Sequence, residues 1–398
     1  MNLTTAQALL QQKSTPFYVF DMPELRRRIH DLRESLPGHV KLCYAVKANT
    51  FILEEAARWV DRLEICSPGE LSICQKLQLP PEKFVVSGVY KEPGLMQRLI
   101  AEGTPIGVYT VESMAQFDTL YQAATANQRP ISVLLRLTSG NQFGLGESEI
   151  EQIVRDFSDT PFLHIRGIQY FSGTQKTSLK RLKRELETLE QLIQSLDERF
   201  GYRAEELEFG PGFPVSYFQG DSFDEADFLR KFSDLLGELK FEGTIALELG
   251  RSLAASCGSY FTRVVDSKHN QAGNYAIVDG GIHQLAYYGQ FMAMKHPSIR
   301  VLHSDKNRDS AAPAAEEEWN ICGSLCTVND ILVKKLPLRD LQIGDVLLFE
   351  KAGAYCATEG IALFLSRDLP EIILMQDDGK AVTVRPHIQT DHLNYPQK

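Results

Sequence analysis

No stretch of eighteen apolar residues occurs in the chain, so nothing in it reads as a membrane span. The first residues, Met1-Asn-Leu-Thr-Thr-Ala-Gln7, carry neither a basic cluster nor an apolar run, and no export signal is visible there. There is no CxxC pair and no HExxH, so no metal site is indicated. The seven cysteines are odd in number and lack framework spacing, which points to reduced thiols in a cytoplasm. Basic residues are outnumbered, and a formal charge of −10 argues against general nucleic-acid binding. Internal repeats and low-complexity tails are also missing. What remains is a chain of 398 residues, 43% hydrophobic and 24% charged. That composition supplies ample core, and that length suggests two domains.

Short apolar or β-branched runs alternate with helical patterns through the first two thirds of the chain. The expected strands are His39–Val46, Arg62–Cys66, Lys83–Ser87, Pro105–Tyr109, Ile131–Leu137, His164–Phe171, Glu206–Phe209 and Thr244–Leu249. Helical periods lie between them, among them Leu53–Val60, Val111–Ala126, Ser178–Phe200 and Asp224–Leu239. Eight strands in alternation with helices predict a (β/α)8 (TIM) barrel over residues 23–260. Beyond it the pattern turns to strands with few long helices, at Tyr260–Asp266, Tyr275–Val278, Ser298–His303, Trp319–Cys322, Asp345–Phe349 and Glu371–Met375. Residues 261–398 therefore read as a β-barrel or sandwich domain, with Asp305–Glu318 as an exposed loop.

Reactive groups of such barrels sit at the C-terminal strand ends. Lys47 follows the apolar run Cys43-Tyr-Ala-Val46, where desolvation favours the neutral amine that attacks an aldehyde. By position alone it fits a surface lysine capping a strand equally well. Strand seven runs into Glu208-Phe-Gly-Pro-Gly-Phe213, whose glycines let backbone N–H groups approach an anion, and a helix following them would add its dipole. An ordinary glycine turn has the same sequence. Strand eight ends in Leu247-Glu-Leu-Gly-Arg251, which suits a pyridine nitrogen and a phosphate, or an internal Glu248–Arg251 ion pair.

Taken in order, these segments resemble the fold-type III pyridoxal phosphate enzymes, the ornithine, arginine and diaminopimelate decarboxylases. Tyr44-Ala-Val-Lys-Ala-Asn49 matches their cofactor-lysine motif, and Glu64-Ile-Cys-Ser-Pro-Gly-Glu70 their second-strand motif, with glutamate for the usual aspartate. Arg136 with Gln142-Phe-Gly-Leu145, Gly210-Pro-Gly-Phe213 and Glu248-Leu-Gly-Arg251 resemble the fifth-strand, phosphate-loop and pyridine-binding segments. The resemblance implies an alanine racemase-like fold, with residues 1–22 adding to the β domain, and pyridoxal 5'-phosphate as cofactor. It makes Lys47 the Schiff-base lysine and Glu248 the partner of the pyridine nitrogen. Gly210, Gly212, Phe213, Gly250 and Arg251 would surround the phosphate, with Glu64, Phe171 and Thr174 also against the cofactor. In the β domain, Gly323-Ser-Leu-Cys-Thr327 is similar to a family motif that makes Cys326 a catalytic thiol, and Tyr355 matches a phosphate-contacting tyrosine. Both would be supplied across a homodimer with shared sites. A buried small hydrophobe is the ordinary alternative for Cys326.

Three departures from the family narrow the substrate. Phe171 stands where a histidine stacks on the cofactor ring, keeping the π-face contact and losing the charge. Thr327 replaces an acidic residue that grips the distal ammonium of basic amino acids. Asp279–Gly289 lacks the arginine used nearby for the distal carboxylate of diaminopimelate. These changes resemble the subgroup that decarboxylates amino acids conjugated to citrate or held on an acyl carrier protein. The basic run Lys176-Thr-Ser-Leu-Lys-Arg-Leu-Lys-Arg184 would then receive an acidic carrier, or is simply a solvated helix face. The remaining alternatives are a decarboxylase of diaminopimelate or another basic amino acid, an amino-acid racemase or epimerase, and a non-enzymatic pyridoxal phosphate carrier. Racemases of this fold continue the lysine motif differently from Ala48-Asn-Thr-Phe-Ile52, and carriers resemble the barrel alone.

Overall fold

The computed structural model describes residues 1–287, 293–305 and 315–396. The chain forms two compact units: Ile29–Pro214 with Asp224–Leu253, and Met1–Arg28 with Val215–Phe223 and Ala254–Lys398.

The first unit holds a closed parallel barrel. Strand β1 (Phe17–Asp21) belongs to the other unit, and the barrel runs from β2 to β9 in chain order. Its strands are β2 (Lys41–Ala45), β3 (Arg62–Ile65), β4 (Phe84–Val86), β5 (Val108–Val111), β6 (Ile131–Arg136), β7 (Leu163–Phe171), β8 (Glu206–Gly210) and β9 (Thr244–Leu249). All eight expected strands are present, seven with shifted ends and Thr244–Leu249 with the bounds expected. The first stops at Ala45 and yields to a 3-10 turn over Val46–Ala48, and the fourth is displaced from Pro105–Tyr109 to Val108–Val111. Pro105 has no N–H for a ladder, which helps explain why pairing begins beyond it.

Helices cover the barrel through apolar stripes at helical spacing. On Leu179–Phe200 the buried residues are Leu182, Leu186, Leu189, Leu192 and Leu196. Each leucine so buried contributes about 2 kcal/mol of hydrophobic free energy. Ser178 caps that helix by accepting from the Arg181 N–H. Strand alternation divides β8: Phe209 stacks toward Phe232 of the helix Glu225–Gly237, so Glu206, Glu208 and Gly210 face the barrel axis.

Among the described residues the second unit holds a nine-stranded sheet. Its later strands are β10 (Gly258–Asn270), β11 (Gly273–Val278), β12 (Ile299–Leu302), β13 (Glu316–Cys322), β14 (Ile331–Arg339), β15 (Val346–Glu350), β16 (Glu371–Met375) and β17 (Ala381–Arg385). The main path runs β14-β13-β11-β10-β1-β16-β17, and β15 pairs with both β10 and β12. Strand β1 lies between β10 (antiparallel) and β16 (parallel). Phe17, Val19, Phe261, Leu348, Ile373 and Met375 share one core with Ala6 and Leu9 of the helix Leu3–Leu10. The expected loop Asp305–Glu318 differs from the fold at its end, because Glu316–Glu318 pair with Pro337–Arg339 as the start of β13. Residues 306–314 of that loop, and Tyr288 and Gly289 of the Asp279–Gly289 segment, lie outside the described residues.

Candidate active site

Lys47 projects from the Val46–Ala48 turn, which the Tyr44 hydroxyl braces by donating to the Asn49 carbonyl at 2.9 Å. Register explains its neighbours: Glu64 lies beside Ala45 on β3, and Glu248 beside Cys43 on β9. The Lys47 ammonium therefore meets a carboxyl from each side, Glu64 at 2.5 Å and Glu248 at 3.5 Å. Both glutamates are buried, while the Lys47 side chain is 39% exposed.

The two carboxyls do not carry equal charge. Burial works to raise Glu64, but the Lys47 ammonium and hydrogen bonds from Glu248, Lys47 and Cys66 hold it below the ordinary carboxylate range. Burial, and then the Glu64 charge, push Glu248 above that range. Glu248 is thus the member of the pair that holds a proton more readily, hydrogen-bonded to Glu64, and its second oxygen accepts from the Gln169 amide at 3.0 Å. Burial and the nearby Glu64 charge raise the Cys66 thiol as well, and it donates to Glu64 at 3.1 Å while lying 3.4 Å from the Lys47 nitrogen.

A chain of charges continues into the barrel. Glu208 is fully buried, neither of its oxygens is hydrogen-bonded among the described residues, and burial raises its pKa well above the ordinary value. Its nearest cation is Arg62, at 3.6 Å, which is hydrogen-bonded to Glu206. On the other side of the mouth Arg136 binds Glu112 at 2.9 Å and lies over the Phe143 ring. Lys91 is buried against the Gly88 carbonyl, Thr110 and Gln116, and burial brings its pKa down to about 8.

The glycine loop follows β8, two strands from Lys47 round the barrel. Gly210 pairs with Phe171 across β8 and β7, so closely that a Cβ at position 210 would enter the Phe171 ring. Gly212 has φ +60, and a Cβ there would collide with the Gly173 carbonyl. The Phe213 ring packs edge-on to Phe228 and Phe232, leaving its backbone as the part free to face a ligand. No helix follows this loop directly: with Pro211 and Pro214 in it, the next begins at Glu225. The expected helix dipole is absent, so an anion here would depend on loop N–H groups. Thr174 is half-buried beyond Gly173, and Gly250 leads into the short helix opened by the buried Arg251.

In the β domain, Cys326 is exposed within the Gly323–Asp330 turn. The Asp330 carboxylate holds that turn by accepting from the Leu325 N–H at 2.7 Å and the Ile282 N–H at 2.9 Å. The Thr327 N–H donates to the Leu325 carbonyl, and its hydroxyl accepts from the Asn329 N–H. Tyr355 adopts φ +66 and is half-buried.

The structure brings together Lys47, Glu64 and Glu248, and separately Phe171, Gly210 and Gly212. It adds Gln169, Cys66, Glu208 and Lys176, none of which the sequence motifs single out for a site role. The basic run does not form a free cationic face. Lys176 is buried on Glu185, while Arg181 pairs with Glu185 and Lys183 with Glu238, leaving Lys180 and Arg184 as its exposed charges without an ion pair among the described residues. Among the described residues no helix is long and apolar enough to cross a membrane.

A family model described as "Pyridoxal-dependent decarboxylase, C-terminal sheet domain" matches residues 17–353. The chain is 26% identical to an L-glutamyl-[BtrI acyl-carrier protein] decarboxylase of Niallia circulans, over 95% of this chain and 93% of that one. It is 24% identical to a 2-[(L-alanin-3-ylcarbamoyl)methyl]-2-hydroxybutanedioate decarboxylase of Staphylococcus aureus, over 90% and 93%. Its fold matches the crystal structure of diaminopimelate decarboxylase from Helicobacter pylori complexed with L-lysine, with TM-score 0.83, 24% identity and 98% of each chain covered.

Proposed function

The chain belongs to the pyridoxal-dependent decarboxylases, and from that premise we propose that it removes the α-carboxylate of an amino acid whose side chain is conjugated, as an amide or a carrier thioester. The observation that carries the site assignment is the Lys47 ammonium held between two unequal carboxyls beside a glycine cradle.

The residues present fit the cofactor. A lysine amine, a buried carboxyl at Glu248 and a loop with no room for side chains at Gly210 and Gly212 answer its aldehyde, its ring nitrogen and its phosphate. When bound, pyridoxal phosphate supplies an aldehyde that combines with amines and a protonated ring that accepts the electron pair left as carbon dioxide departs. Glu64, held ionised by the Lys47 ammonium and its hydrogen bonds, would keep the Lys47 nitrogen fixed. Glu248, oriented by Gln169, would hold a proton on the ring nitrogen. Phe171 would offer an apolar face to the ring, and Thr174, Arg251 and the loop N–H groups would hold the phosphate. In the homodimer implied by the resemblance, a second copy contributes Tyr355 to the phosphate and the Cys326 thiol, whose proton goes to the carbon that lost its carboxylate.

Two relatives covering nearly the whole chain, both named for conjugated or carrier-bound substrates, support the conjugate. Thr327 supports it too, since a hydroxyl does not pair with a distal ammonium. Carbon dioxide release from free diaminopimelate, lysine and ornithine is to be compared with a citryl-diaminopropionate-type amide and a glutamyl acyl-carrier thioester. One of the conjugates should exceed every free diamino acid in kcat/KM by about 100-fold. Preference for free diaminopimelate would favour the second reading, a diaminopimelate decarboxylase, which several relatives of similar identity represent.

A further inference from the structure

Lys176 lies before the helix that its motif was expected to open, and its side chain is 2% exposed. Its backbone N–H donates to the Gly212 carbonyl at 2.9 Å, and its ammonium donates to the Gly210 carbonyl at 3.3 Å. The same ammonium is held by Glu185 at 2.7 Å and Ser172 at 3.0 Å, and it lies over the Phe209 ring. Arg181, half exposed, makes a second pair with Glu185, so one carboxylate serves two cations and the cluster stays net positive.

Peptide planarity gives this arrangement a consequence. In a trans peptide the C=O and the following N–H point in opposite directions. Drawing the Gly212 carbonyl toward Lys176 turns the Phe213 N–H away from it. Drawing the Gly210 carbonyl costs no donor, because Pro211 has no N–H. A positive charge also stands behind the loop, where it adds to the attraction for an anion.

We propose that Lys176 is a positioning residue for the phosphate of the cofactor, acting through the Gly210–Phe213 backbone that it holds from behind. This rests on the assignment of that loop as the phosphate site. Lys176 therefore selects the phosphorylated cofactor over its dephosphorylated form, without contacting the ring or the substrate.

The test is titration of the full chain, freed of cofactor, with pyridoxal 5'-phosphate and with pyridoxal, following the visible band of the lysine adduct. In Lys176→Met the affinity for the phosphate ester should fall about tenfold while that for pyridoxal changes less than about twofold. Lys176→Gln should lose phosphate preference in the same sense, and provides the measurement if the methionine variant does not fold. Equal loss for both ligands, or no loss for either, overturns the proposal. Gly212→Ala separates the two levels. If it spares the phosphate preference, the loop is not the phosphate site and the underlying assignment fails. If it abolishes the preference while both Lys176 variants keep it, only the role of Lys176 fails.

Discussion

Lys47 lies between two carboxyls that differ in charge because one is nearer the ammonium and the other is left to share a proton with it. Glu248→Gln tests this division of labour. The variant should keep the cofactor's visible band and lose about 100-fold in kcat, since a neutral amide cannot hold a pyridine proton; an unchanged kcat would remove Glu248 from that role. Lys47 and Glu248 were legible in the sequence because a charged residue ending an apolar strand is conspicuous. Gln169, Glu208 and Lys176 were not. Alternation places the first two on the barrel axis, but an axial position is ordinarily apolar, and no pattern announces that here it is filled by polar side chains. Lys176 read as a surface cation because the Glu185 that buries it comes nine residues later, within an unremarkable acidic stretch.

At the scale of the element, the glycine loop is fixed by space. A methyl group at Gly212 meets the Gly173 carbonyl and, at 3.0 Å, the Lys176 side chain, on a backbone with positive φ. Gly212→Ala should therefore cost about 1–3 kcal/mol in chemical denaturation and weaken cofactor binding; a neutral outcome in both would mean that the loop relaxes freely. Barrel strands were easier to anticipate than those of the β domain. The barrel's eight are short apolar runs buried on both faces and separated by helices. In the β domain, β14 and β17 do not stand out in the sequence, and β1 is assigned to that domain by the resemblance alone. β1 is far from its partners in sequence, and Pro337 interrupts β14, where Leu336 and Leu338 flank it. The Ala381–Arg385 strand exposes Thr383 and Val384 and so lacks a buried run.

At the scale of the whole molecule, stability and assembly are both testable. Burial holds the His283 ring neutral, with its pKa lowered from 6.5 to about 4. Below about pH 6.5 the unfolded chain takes up a proton that the folded chain refuses, so this contribution to stability is complete above pH 6.5 and is lost as pH falls toward 4. Relative to His283→Gln, the wild type should lose roughly 2 kcal/mol between about pH 7 and about pH 5; a pH-independent difference would mean that the folded histidine charges freely. The shared sites proposed above predict complementation. Lys47→Ala and Cys326→Ala should each be inactive, yet co-refolded in equal amounts they should recover about a quarter of wild-type activity, because half the dimers are mixed and one site in each is intact. No recovery would mean that each site draws both residues from one chain.

Strand β1 sets a constraint on the order of synthesis. It is made before any part of the barrel, yet it pairs with β10 through Phe17↔Phe261 and with β16 through Phe17↔Glu371. During translation its apolar Phe17-Tyr-Val-Phe20 edge must wait, unpaired, while the barrel segment emerges and folds. The interval in which this strand lacks both partners is therefore set by translation of the barrel segment, and its pairing is complete only once β16, to Met375, has been made.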